Sequence, residues 1–144
     1  MKYAKTREVK SPQRGTKESA GLDFYIPTGF SQIIKPGESA LIPSGIHVKI
    51  PTGTMLEVRN KSGVASKLGL LVGAEIIDSD YQGEVHLNVW NVSNKNVQIN
   101  EGEKLVQMIL IPILLPVLEE SIIEELYVEE TERGAGGFGS TGKN

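Results

Sequence analysis

Only three aspartates occur among the 18 acidic residues of this 144-residue chain, and all three, Asp23, Asp78 and Asp80, stand in short stretches beside Gly, Ser or Tyr. Carboxylates placed in this way serve turns, general-base chemistry or a hard cation. A second group, Arg59-Asn60-Lys61-Ser62-Gly63, suits phosphate. Lys61 is a point charge, Ser62 a hydroxyl donor, and Gly63 permits close approach to the backbone. The segment from Arg133 to Asn144 adds an arginine, the hydroxyls of Ser140 and Thr141, the ring of Phe138, and five glycines in twelve residues. Arg133 can grip phosphate with two parallel bonds, and glycines let N–H groups reach oxygen atoms. By composition alone this segment reads as a disordered tail; beside the other two groups it reads as a mobile arm carrying a further set of phosphate-suited groups. Carboxylates, phosphate cradles and one aromatic platform fit a magnesium-bound nucleoside polyphosphate. The residue types do not identify the base, the sugar or the bond broken.

Several chemistries are excluded. The chain has no cysteine, which removes disulfides, thiolate nucleophiles and Cys-ligated metals. His47 and His86 lie far apart and outside any HExxH pattern, so both read as strand residues rather than zinc ligands or triad members. A net charge of −3, from 15 basic and 18 acidic residues, argues against stable nucleic-acid binding. Gly134 to Gly139 matches GxGxxG, but a dinucleotide fingerprint needs a preceding strand, a following helix and an acidic residue about 20 positions on. Gly137 to Asn144 approximates a P-loop but places Asn144 where the magnesium-binding hydroxyl belongs. The triplets at Asn60 and Asn91 match the glycosylation pattern and are read as chance.

The elements that position these residues read as strands. Ile46, Val48 and Ile50 alternate with polar residues, as do Val85, Leu87 and Val89. Turn formers recur at Pro27-Thr28-Gly29, Pro36-Gly37, Pro43-Ser44-Gly45, Pro51-Thr52-Gly53 and Asn100-Glu101-Gly102. Short strands at this spacing predict one all-β domain, a sandwich or barrel. The basic first 17 residues and the seven glutamates of residues 119 to 132 read as solvated faces. Leu105 to Leu118 is apolar but carries Gln107, Pro112 and Pro116 and is shorter than the ~20 residues of a membrane span, so it is expected in the core. From Leu118 to Val128 helical spacing and β-branched residues compete, leaving helix and extended chain both open. The expected division is a β domain over 1–132 and a flexible arm over 133–144. No secretory signal is visible at the start.

Five segments now carry a resemblance. Ala20-Gly21-Leu22-Asp23, Lys61-Ser62-Gly63, Ile77-Asp78-Ser79-Asp80-Tyr81-Gln82-Gly83, Gly102-Glu103-Lys104-Leu105-Val106-Gln107 and Arg133 to Gly142 resemble, in order, the five motifs of the trimeric dUTPase family. The resemblance implies a jelly-roll homotrimer that cleaves dUTP to dUMP and pyrophosphate with Mg²⁺, at sites shared between subunits and closed by the C-terminal arm. It also implies a cytoplasmic location, or a nuclear, organellar or host-cytoplasmic one according to the source. Asp78 would be the general base, and Asp23 would help hold Mg²⁺ through water. Tyr81 would pack against deoxyribose and exclude a 2′-hydroxyl. Lys61, Ser62, Gly63 and Gln107 would hold phosphate oxygens or ordered water. Gly73 would lie in the hairpin whose backbone reads uracil, Phe138 would stack on the base, and Arg133, Gly139, Ser140 and Thr141 would close over the nucleotide.

Three residues depart from the family pattern: Lys61 replaces the usual Arg, Asn60 the Pro before it, and Glu75 a Gly of the hairpin. The competing readings are a dCTP deaminase of the same fold, which would attack C4 of the base, and a nucleotide-gated interaction protein. The Asp78 and Tyr81 pairing argues against the first, and no long insertion supports the second.

Overall fold

The computed structural model describes residues 1–137. The chain separates into two compact units, Met1–Leu114 and Leu115–Asn144.

In the first unit, eleven strands are described: β1 (Lys2–Lys5), β2 (Leu22–Tyr25), β3 (Ser31–Ile34), β4 (Ser39–Pro43), β5 (Ile46–Lys49), β6 (Thr54–Asn60), β7 (Leu70–Val72), β8 (Ile76–Ile77), β9 (His86–Asn91), β10 (Val97–Asn100) and β11 (Lys104–Pro112). The period-2 patterns become half-buried strands. Ile46 and Val48 of β5, and Leu87 and Val89 of β9, are buried, while Lys49, His86 and Trp90 face outward. The five turns expected from Pro and Gly all form, each on a glycine with φ between 69° and 79°, a conformation L side chains resist.

The antiparallel pairings nest: β2 with β11, β3 with β10 and β4 with β9. A two-stranded ribbon coiled on itself gives this jelly-roll-like order and returns the end of the domain beside its beginning. The largest sheet runs β2-β11-β6-β8, and a second runs β4-β9-β7. One core cluster draws on both and on the two small sheets, with Phe24, Ile34, Ile42, Ile46, Leu56, Leu87, Ile99 and Met108 at its centre. Asn91 is fully buried among them, donating to the carbonyls of Ile34 and Lys95 and accepting from Ser93. Its amide is therefore structural, and sugar attachment there is excluded.

Two findings differ from the sequence reading. The segment after Lys61 is a short helix, α1 (Ser62–Leu68), ended by Gly69 in the left-handed region; its two turns are too brief to show a period. The expectation that Leu105 to Leu118 is core holds only at Leu105, Val106 and Met108. Leu114, Leu115, Val117 and Leu118 are 72–93% exposed, because the sheet ends at Pro112. In the second unit, a single helical turn, α2 (Ile123–Leu126), settles part of the open 118–128 stretch.

Candidate active site

Asp23 lies in the middle of β2, where burial would penalise a lone carboxylate. The backbone of Gln13 covers it from outside through a reciprocal pair of hydrogen bonds. Its charge is answered twice: the Lys61 ammonium binds Oδ1 and the Lys104 ammonium sits 3.0 Å from Oδ2. Burial pushes the Asp23 carboxyl upward, but the hydrogen bonds and charges of the two lysines outweigh it and hold the group below its ordinary value. Lys104 is itself raised by that hydrogen bond.

Lys104 reaches Asp23 because β11 is irregular. Lys104 pairs with Tyr25 and Val106 with Phe24, so Leu105 is the extra residue of a bulge. That bulge buries Leu105 and Val106 in succession, which a regular strand cannot do. Beyond it, Gln107 lies opposite both Asp23 and Arg59. Its amide donates to the Asn60 carbonyl at 3.0 Å. Gly21 makes room for this side chain, since a Cβ there would stand 2.5 Å from Gln107 Oε1 and 2.9 Å from its Cβ. Three of the five motifs, those of Asp23, Lys61 and Gln107, therefore meet in one cluster.

Asn60 explains its own departure from the family pattern. Its backbone carbonyl receives Gln107, and its side-chain Oδ1 accepts the N–H of Val72 at 2.8 Å, tying the cluster to the end of β7. Proline could not make the second bond. The hairpin expected here does not form, because β7 pairs with β9 and β8 with β6, so residues 73–75 connect two sheets. Within that connection Gly73 rests on Asn88 and Trp90, whose side chains leave no space for a Cβ. Glu75 is half-buried and adds to the field that keeps Arg59 charged, a field set first by the 2.6 Å bond from Arg59 to Glu57.

Asp78 is exposed and opens a turn closed by the Tyr81 N–H, 3.2 Å from its carbonyl. The Tyr81 hydroxyl donates to the Glu84 carbonyl at 3.0 Å. Ser62 and Gly63 begin α1, both exposed, and open space surrounds the place where a Gly63 Cβ would stand. Among the described residues nothing demands glycine there. Arg133, in the second unit, folds into a local turn with its Nε donating to the Gly136 carbonyl at 2.9 Å. Phe138, Gly139, Ser140 and Thr141 lie outside the described residues.

Sequence reasoning assigned no role to Lys104, Asn60 or Asn88. Lys104 lies inside a quoted motif, yet the bulge that aims it has no sequence signature. Among the described residues no three His, Cys, Asp or Glu side chains converge as a cation cage. Asp23 has both oxygens facing lysines. With both oxygens engaged by ammonium groups, Asp23 is not a direct cation ligand here, and these residues fit a hard cation only as one carried by the phosphates of a ligand.

A jelly-roll-like β fold whose main sheet gathers Lys61, Lys104 and the Gln107 amide around the buried carboxylate of Asp23 defines a class, the β proteins with a phosphate-suited cluster on one sheet. A family model described as dUTPase matches residues 7–142. The deoxyuridine 5′-triphosphate nucleotidohydrolase of Wolbachia sp. subsp. Brugia malayi is 39% identical over 144 residues, covering 99% of this chain and 91% of that protein. The human mitochondrial protein of the same name is 36% identical over 145 residues, covering 100% of this chain and 55% of that protein. Among solved structures, the dUTPase of Staphylococcus bacteriophage 80alpha with dUPNHPP superposes with a TM-score of 0.86 at 26% identity, covering 99% and 98% of the two chains. The chain belongs to the dUTPase family, and it hydrolyses dUTP.

Proposed function

We infer that the chain works as a Mg²⁺-dependent dUTP diphosphatase, a homotrimer whose active sites are shared between subunits. One observation carries this reading. The phosphate-suited cluster of Asp23, Lys61, Lys104 and Gln107 is assembled within the chain from three of the five ordered motifs, beside a separate exposed Asp78–Tyr81 turn. In a homotrimer of the kind the five motifs imply, a nucleotide that touches both would bridge two chains, with the arm of a third closing over it. The exposed run Leu114, Leu115, Val117 and Leu118 supports the same assembly, because apolar surface of this kind gains by being covered.

The two carboxylates divide the work by environment. Asp23 faces two ammonium groups and is a poor proton acceptor, so it orients Lys61 and Lys104, and it would reach a phosphate-borne metal only through water. Mg²⁺ carried on the triphosphate would supply neutralising charge there. Asp78, exposed and free of such partners among the described residues, takes a proton from water. The water oxygen bonds to the α-phosphorus as the bond from that phosphorus to the oxygen bridging to the β-phosphate breaks. Pyrophosphate leaves, dUMP remains, and Asp78 returns its proton to solvent. Lys61, Ser62, Gly63 and Gln107 hold phosphate oxygens or ordered water. Tyr81 packs on the deoxyribose, the backbone around Gly73 reads uracil, Phe138 stacks on the base, and Arg133, Gly139, Ser140 and Thr141 close the site. In the cell this would limit uracil incorporation into DNA and supply dUMP for thymidylate synthesis, in the cytoplasm or the compartment where the chain is made.

Subunit mixing tests the shared site. Asp78→Asn chains have arms and no base; chains lacking residues 133–144 have bases and no arm. Each homotrimer alone should be nearly inactive. With random equal assembly, half of the sites draw their base from a truncated chain and half draw their arm from an Asp78→Asn chain. Co-refolded mixtures should therefore regain roughly a quarter of wild-type pyrophosphate release. Mixtures that exchange subunits and stay inactive overturn the shared site.

A further inference from the structure

The chain has two histidines, and both aim at the same four residues. His47, on β5, places Nδ1 3.0 Å from the Gln82 carbonyl. His86, at the start of β9, places Nδ1 2.9 Å from the Glu84 carbonyl. A carbonyl only accepts, so in both rings Nδ1 carries the hydrogen. The Glu84 carbonyl also receives the Tyr81 hydroxyl, and is thus shared between ring and imidazole. The Tyr81 ring folds back over Gly83 so closely that a Cβ there would collide with its hydroxyl end. The Glu84 side chain is fixed in turn, by Arg7 at 2.9 Å and by the Gly45 N–H at 2.7 Å.

Tyr81 is 45% exposed, so core packing alone does not place its ring. Its position depends on where the Gln82 and Glu84 carbonyls stand. We propose that His47 and His86 are positioning residues for Tyr81, holding the Tyr81–Glu84 segment so that the ring discriminates deoxyribonucleotides from ribonucleotides. The inference rests on the reading of Tyr81 as the residue that packs against the sugar. It assigns a second tier of specificity to two strand residues that touch no substrate themselves.

The test compares kcat/KM for dUTP and UTP in the full-length protein. His47→Phe and His86→Phe keep a ring and remove the donor, whereas His47→Asn and His86→Asn keep an N–H near the Nδ1 position. Each Phe variant should lower the dUTP/UTP ratio about 2- to 10-fold, the worth of one hydrogen bond, chiefly through faster UTP turnover, with kcat for dUTP within about twofold. Each Asn variant should recover most of the ratio. Tyr81→Phe, which frees the shared carbonyl without touching either histidine, should lower the ratio similarly. A merely structural role would lower dUTP and UTP turnover together and leave their ratio intact, overturning the proposal. Tyr81→Ala separates the two failures. If it collapses the ratio while both His→Phe variants keep it, only the histidine assignment falls; if it leaves the ratio unchanged, the sugar reading falls and this proposal with it.

Discussion

Replacing Asp23 by Asn keeps the shape of the side chain and removes the charge that Lys61 and Lys104 share. Its effect on stability can be worked from exposure. The Asp23 side chain is 7% exposed and that of Lys61 25%, so their bond belongs in the range of about 1.5–3 kcal/mol for hydrogen bonds to charged groups. The Lys104 side chain is 44% exposed, and water screens its contact to about 1 kcal/mol or less. Asn retains one acceptor oxygen, so the expected loss at pH 7 is about 2–3 kcal/mol, or roughly 6–12 °C in Tm for a chain of this length. The pH dependence carries the stronger test. The folded carboxyl titrates below its unfolded value of 3.8, so the stability it contributes is complete above that value and disappears as pH falls through the folded one. Wild type and Asp23→Asn should therefore differ at pH 7 and converge toward pH 3. Thermal unfolding followed by circular dichroism, at one fixed protein concentration so that assembly weighs equally on both, measures this gap. A gap absent at pH 7, or undiminished at pH 3, refutes the double clamp as the source of Asp23's stabilisation.

Asp78→Asn should keep nucleotide affinity in equilibrium binding while lowering kcat by about 10²–10⁴, the usual worth of a positioned base; wild-type turnover would remove Asp78 from the mechanism. Gly21→Ala forces Gln107 away from its bond to Asn60 and should raise KM for dUTP by about an order of magnitude with a smaller change in kcat. An unchanged KM would mean that Gln107 does not serve the phosphates. Pyrophosphate release from dUTP should stop on chelation and return with added Mg²⁺, and metal-independent turnover at the original rate would exclude a phosphate-borne cation.

The strands were legible wherever one face is buried and the other wet, as in Ile46 to Ile50, because period-2 alternation is written directly in residue type. The turns were legible because a positive φ selects glycine. By contrast, Leu105 and Val106 are buried in succession through a bulge that no alternation can announce, and the same bulge aims Lys104 at Asp23. The apolar run from Leu114 to Leu118 shows a different limit: hydrophobicity says that a surface gains by being covered, but not which surface covers it. For the site, residue type revealed which side chains suit phosphate, and fold brought three of their motifs together. The departures needed both. Lys61 is a weaker mimic of arginine when each is considered as a bidentate phosphate ligand. Beside Lys104, however, it is one of two compact ammonium groups that divide the two oxygens of a single buried carboxylate between them. Asn60 likewise cannot stiffen the chain as proline does, but beside the backbone carbonyl that receives Gln107 it adds a side-chain bond to Val72 at the end of β7. Each substitution exchanges a constraint local to its own residue for a bond to another motif, so their effects should be coupled, and a change at Asn60 should be felt by Gln107 and Val72 before it is felt by Lys61.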